Sequence, residues 1–179
     1  MCQHMFVITG APGSGKSSLL EALARQGIRY MPEAGRAIIQ DQMAIKGSAL
    51  PWADQSLFAE LMLNWELRSC REARAIKEPV LMDRGVADVL GYLTLCNLPI
   101  PDHVKRAADQ YRYNRQVFIA PYWAEIFGQD AERKQDRAEA EATYHVMART
   151  YAELGYELIQ LPLASIEERA AFVRKHILG

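Results

Sequence analysis

The residues best suited to chemistry lie together near the start of the sequence, where Gly10-Ala11-Pro12-Gly13-Ser14-Gly15-Lys16-Ser17 fills the spacing GxxxxGK[ST] completely. Glycines at 10, 13 and 15 let backbone N–H groups turn inward around a polyphosphate, and a helix opening at this point adds unpaired donors and the positive end of its dipole. In such a cradle Lys16 reaches the β- and γ-phosphates, the Ser17 hydroxyl binds Mg²⁺, and Ser18 extends the first turn. Pro12 and Ser14 shape the turn. The expected cofactors are therefore ATP and Mg²⁺.

A phosphoryl donor needs an acceptor and a means of neutralising charge. Asp83 ends the apolar run Pro79-Val80-Leu81-Met82, where a carboxylate can help hold Mg²⁺ through water or prepare an acceptor hydroxyl. Arg84, next to it, could clamp an anionic group or form a structural salt bridge. In PEAGR, Glu33 could accept a substrate proton or hold a ribose-like diol, and Arg36 stands three residues on, on the same helical face. The bland reading of this pair is a local ion pair at a helix start. Arg133 and Lys134, with Arg137 beside them, are candidate lid cations that would neutralise transition-state charge. Arg112 and Arg115, interleaved with Tyr111 and Tyr113, could face the same crevice or cover apolar surface with their stems.

The elements that must position these residues alternate in type. Apolar runs predict strands at 6–9, 27–32, 79–83, 116–120 and 156–161. Helical spacing predicts helices from 16 to 27, 33 to 45, 52 to 76 with Leu57, Leu61, Trp65 and Cys70 on one face, 86 to 96, 102 to 113 capped by Asp102, and 139 to 154. Ser165 and Glu168 have the spacing of a reciprocal cap before a last helix. Five strands alternating with helices predict an α/β three-layer sandwich on a mostly parallel sheet, with ligands beyond the carboxyl ends of the strands. Residues 1–179 read as a single domain, with a lid at about 122–137. The loop 162–165 could form one side of a nucleobase pocket.

Composition narrows the partners. With 50% hydrophobic and 24% charged residues the chain has the makings of a globular core. Its 21 Lys plus Arg against 22 Asp plus Glu supply no positive field to hold a nucleic-acid backbone. Cys2, Cys70 and Cys96 are too far apart for a zinc cluster and odd in number, which fits a reducing compartment. His4, His103, His145 and His176 show no metal-ligand spacing. The run FVIT is too short for a signal-peptide core or a membrane span. The expectation is a cytoplasmic protein, monomeric or homodimeric, with a nucleotide and a small-molecule acceptor as partners and neither nucleic acid nor membrane.

FVITGAPGSGKSSLLEAL, YMPEAGRAII, LPWADQSLFAELML, VLMDRGVADVLGYL, YRYNRQVFIAPYWAEIFGQDAERKQDRAEA and GYELIQLP together resemble a bacterial family of small P-loop proteins known as AAA-type ATPases. That family looks related to the kinase domain acting on ribosylnicotinamide, and more distantly to nucleoside and nucleotide kinases. The resemblance implies a P-loop NTPase of nucleoside/nucleotide-kinase-like form with a helical lid. It places Lys16 and Ser17 at the phosphates, makes Asp83-Arg84 similar to the Asp-Arg pair of nucleoside kinases, and puts Arg133 or Lys134 in the lid. PEAGR matches the acceptor-binding pattern of ribosylnicotinamide kinases only loosely. The chain shows no NKxD guanine signature and no room for the extra helical domain of ring-forming AAA motors. An ATP-dependent small-molecule kinase is the leading expectation. A regulatory NTP hydrolase and a nucleotide-binding module without turnover are the alternatives.

Overall fold

The computed structural model describes residues 2–123 and 137–179. Its elements in chain order are β1 (Met5–Gly10), α1 (Lys16–Arg25), β2 (Arg29–Met31), α2 (Ala34–Ile45), α3 (Gln55–Arg74), β3 (Val80–Asp83), α4 (Val86–Leu95), α5 (Asp102–Gln110), β4 (Gln116–Ala120), α6 (Arg137–Glu153), β5 (Glu157–Gln160) and α7 (Ile166–Leu178). The strands form one sheet in the order β2-β3-β1-β4-β5, and every pairing is parallel.

Burial on both faces explains why the central strands are continuous apolar runs. All six residues of β1 are buried, and they alternate between two cores. Phe6 and Ile8, with Leu81 and Phe118, pack against Leu19, Leu20 and Leu23 of α1 and Ala170, Val173 and Ile177 of α7. Met5 and Val7, with Val80, Met82 and Val117, meet Cys70 and Ala73 of α3, Ala87 of α4 and Tyr151 of α6. Truncating a residue such as Ile8 to Ala would cost about 2–5 kcal/mol, because neither layer can close the gap. A third cluster joins α3, α4 and α5, and a smaller one joins Ala34 and Ile38 of α2 to Phe58 of α3.

Three expectations need correction. Helix α3 begins at Gln55 rather than Trp52, because the Asp54 side chain accepts the Leu57 N–H and fixes the start there. Trp52 is left in a turn, 66% exposed. The buried face of α3 runs through Phe58, Ala59, Leu63, Glu66, Cys70 and Ala73, not through Leu57, Leu61 and Trp65. Large apolar residues suggested the wrong stripe, while small ones fit the close approach to α4 and the sheet. Asp102 is the first helical residue of α5, with Pro101 as its cap, so its charge faces the helix dipole without capping it.

The register brings the site together. Asp83 on β3 lies beside Ile8 on β1, Gly10 beside Ala120 on β4, and Met31 on β2 beside Met82. The loop after β1, the Asp83-Arg84 pair and Glu33 after β2 therefore leave one end of three adjacent strands. Among the described residues no helix is long and apolar enough to cross a membrane.

Candidate active site

The loop after β1 is held by its glycines. Gly10 has φ 119°, and a Cβ there would strike the carbonyl oxygen of Ala120. That close approach accompanies the hydrogen bond from Ala11 N–H to the same oxygen, 3.1 Å. Gly13 and Gly15 also have positive φ, 68° and 75°. The Ser14 hydroxyl donates to Ala11 O at 2.7 Å, and Lys16 Nζ donates to Ala11 O at 2.6 Å. Lys16 is buried, so its ammonium charge lies inside the loop. The first bond of α1 runs from Leu19 N–H to Gly15 O, which leaves the N–H groups of the first turn facing the loop. Ser17 and Ser18 stand exposed in that turn.

From behind, Arg169 of α7 donates through Nη1 to Ser14 O at 2.9 Å. It is 2% exposed, and its Nε is among the buried atoms without a partner. The reciprocal Ser165–Glu168 cap that starts α7 is present as expected, with Ser165 Oγ accepting from Glu168 N–H.

Beyond β3 a charged network forms. Arg84 has φ 74°, unusual for a residue with a Cβ. Its Nε donates to Glu33 Oε1 at 3.2 Å, and its Nη1 donates to Asp88 Oδ1 at 3.1 Å and Gly10 O at 3.4 Å. Arg84 thus ties the residue after β2 to the phosphate loop. Asp88 also accepts from Thr9 Oγ1 at 2.6 Å, Tyr151 OH at 2.6 Å and Gly85 N–H at 2.9 Å. Gly85 has no room for a side chain, because a Cβ would lie 2.9 Å from the Tyr113 ring. Tyr113 OH in turn accepts from Val86 N–H at 3.0 Å and steadies the start of α4.

Asp83 is 7% exposed, and its Oδ1 is buried without a partner. Burial, then the Glu33 charge, pushes its carboxyl up to about 6, against the pull of Lys16 and Arg84. Burial opposes charge on Arg84, but Glu33, Asp88 and Asp83 outweigh it and raise the guanidinium above its ordinary value. Glu66 on α3 is driven well above the usual carboxylate range by burial and by Asp88 and Asp83. Burial likewise pushes the Cys70 thiol up to about 11. It is an inert core group.

The sequence readings divide accordingly. Gly10 through Ser17, Glu33, Asp83 and Arg84 stand at one end of the sheet. Arg36 on α2 is exposed. Arg112 does not share that end: its backbone carbonyl accepts from Cys2 N–H ahead of β1, its guanidinium lies 4.1 Å from the Tyr156 ring, and Nη2 donates to Leu154 O. It is a strut at the amino-terminal end of the strands, so its assignment to substrate is corrected. Arg133, Lys134 and most of the expected lid at 122–137 lie outside the described residues. Arg137 is exposed and pairs with Glu141 at 2.9 Å. Glu66, Asp88, Thr9, Tyr151 and Arg169 also belong to this end of the molecule or brace it. Asp88 had a local signal in its position three residues into a helix start, and Glu66 had one in its place on the stripe 59–63–66–70–73. Thr9, Tyr151 and Arg169 had none, because only the fold brings them in.

The donor set fits a magnesium nucleotide. The glycine cradle, the inward Lys16 and the unpartnered Asp83 oxygen suit a polyphosphate with a hard cation held through Ser17 and Asp83. Among the described residues no group of three or more His, Cys, Asp or Glu is placed to hold a metal by itself. Mg²⁺ in such sites characteristically relies on the nucleotide for ligands.

Comparison with solved structures agrees on the fold. A NadR protein in complex with NR superposes with a TM-score of 0.74 at 17% identity, covering 99% of this chain and 52% of that one. The chain thus spans about half the length of NadR. Thymidylate kinase from Ehrlichia chaffeensis superposes at 0.64 with 13% identity and full coverage of both chains. Deoxyadenosine kinase from M. mycoides with bound dATP superposes at 0.62 with 12% identity, covering 98% of this chain and all of the other. The fold is that of P-loop kinases. No curated protein matches the sequence. A family model described as an AAA domain matches residues 5–169, nearly the whole length, and the chain belongs to that family.

Proposed function

We propose that the protein is an ATP-dependent phosphotransferase that moves the γ-phosphoryl group to a hydroxyl of a small molecule. The observation that carries this reading is the Asp83–Arg84–Glu33 arrangement beside Lys16. A buried carboxyl with an unpartnered oxygen and a carboxylate gripped by an arginine share the loop's end of the sheet. A bare binding loop has no need of that second group of residues. Mg·ATP, when bound, supplies the phosphoryl group and the metal's charge.

Each residue then has a task. Lys16 and the N–H groups opening α1 hold the phosphate oxygens and neutralise the charge that builds there. Ser17 and Asp83 hold the metal. Glu33 takes the proton of the acceptor hydroxyl as its oxygen forms the new bond to phosphorus, and the bond to the β–γ bridging oxygen breaks to leave ADP. Arg84 fixes Glu33 while bracing Gly10 O, so base and loop keep one spacing.

The test is ADP release from Mg·ATP with and without a panel of nucleosides, ribosylnicotinamide, sugars and phosphorylated metabolites. One acceptor should accelerate release at least about 100-fold, with a phosphorylated product, and Lys16→Ala should abolish it. Lys16-dependent release indifferent to every acceptor would replace this reading with an NTP hydrolase.

A further inference from the structure

The buried side of α7 is made of Arg169, Ala170, Val173 and Ile177. The last three pack into the apolar core with Leu19, Leu20 and Leu23 of α1. Arg169 is as deeply placed as they are, at 2% exposed. An apolar side chain of similar volume would fill that space without the cost of burying a charge. Among the described residues Arg169 forms no ion pair, and its Nε is buried without a partner. Burial alone pulls the guanidinium below its ordinary value, and no carboxylate among them pulls it back. Arg84 differs in this respect, because Glu33 and Asp88 answer its charge.

The bond that Arg169 does make leads to the phosphate loop, where Nη1 donates to Ser14 O at 2.9 Å. That carbonyl shares a peptide with the Gly15 N–H. The peptide lies between two glycines of positive φ, Gly13 at 68° and Gly15 at 75°, where the backbone is freest to turn. The loop is tied at its front by Ala11 N–H to Ala120 O and at its end by Leu19 N–H to Gly15 O. Arg169 adds a tie between these two, from another element. Donation to Ser14 O polarises the peptide and makes the Gly15 N–H a stronger donor, while a positive charge behind the loop draws an anion to its front.

We propose that Arg169 is a positioning residue for the nucleotide: it fixes the Ser14–Gly15 peptide and sets behind it a buried positive charge that the ligand's polyphosphate neutralises. This rests on the phosphate-loop part of the reading above and not on the identity of the acceptor.

The test measures binding of Mg·ADP and of magnesium pyrophosphate by calorimetry on the full chain. Wild type is compared with Arg169→Lys, which keeps the charge, and Arg169→Met, which keeps a long stem without it, and the Tm of each ligand-free protein is recorded. Arg169→Met should weaken both ligands by a similar factor, about 10- to 100-fold, and Arg169→Lys by less than about 5-fold. The ligand-free Tm of Arg169→Met should equal or exceed that of wild type, because an uncompensated buried charge is gone. Stability and affinity would then move apart, which a packing role does not allow.

Unmoved affinity in Arg169→Met would overturn the assignment. So would weaker Mg·ADP with unchanged pyrophosphate, which would trace the effect to the base rather than the phosphates. A lower ligand-free Tm in Arg169→Met, with equal loss of affinity in Arg169→Lys, would give the residue to packing. A wild type that binds neither ligand would overturn this assignment and the phosphate-loop reading together. If both ligands depend on Arg169 but no acceptor is ever phosphorylated, the kinase reading fails and this assignment stands.

Discussion

At pH 7 the Asp83 carboxyl is mostly ionised in surroundings that burial and the Glu33 charge make unfavourable to its charge. Its folded value, about 6, lies above the ordinary 3.8. The stability linked to this group is therefore fully present below about pH 4 and lost as pH rises through about 6. Asp83→Asn should stabilise the fold by up to about 3 kcal/mol at pH 8 and by almost nothing at pH 4, read from urea midpoints at the two pH values. A gain independent of pH would show that ionisation is not the cause. The same variant should lower turnover far more than ATP affinity. Phosphate loop, Asp83 and Arg84 were legible because each sits where an apolar run breaks into glycine or charge. Glu66 was hidden by the large apolar residues on the neighbouring stripe of α3, although its spacing from Leu63 and Cys70 was there to read.

Elements were easier to read than their contacts. Strands β1, β3 and β4 are buried on both faces, so hydrophobicity alone marks them. The boundaries that shifted did so for local reasons, such as the Asp54 side chain starting α3 and Pro101 preceding α5. Strand order was not legible, because pairing between residues as distant as Gly10 and Ala120 leaves no local trace. At the start of α7 the Ser165 hydroxyl accepts from Glu168 N–H and donates to the Glu168 carboxylate. Ser165→Ala should cost about 1 kcal/mol, seen as a drop of a few degrees in Tm. An unchanged Tm would mean that docking on α1 alone sets this helix start.

Across the molecule, Asp88 joins what the chain keeps apart. It collects Thr9 from β1, Arg84 from the β3–α4 turn and Tyr151 from α6, the helix that follows residues 124–136. Tyr151→Phe removes one hydrogen bond to a buried charged group and should cost about 1.5–3 kcal/mol in urea unfolding. If α6 and the site behave as one body, it should also slow transfer without weakening ATP binding, and equal loss in both would sink that coupling. Arg169 closes a longer circuit, since it reaches Ser14 across 155 residues of sequence. During synthesis the phosphate loop leaves the ribosome well before α7, and the guanidinium that steadies its back arrives only with that helix. Capacity to grip a nucleotide would thus wait for α7, and nascent chains stalled before it would hold the loop only loosely.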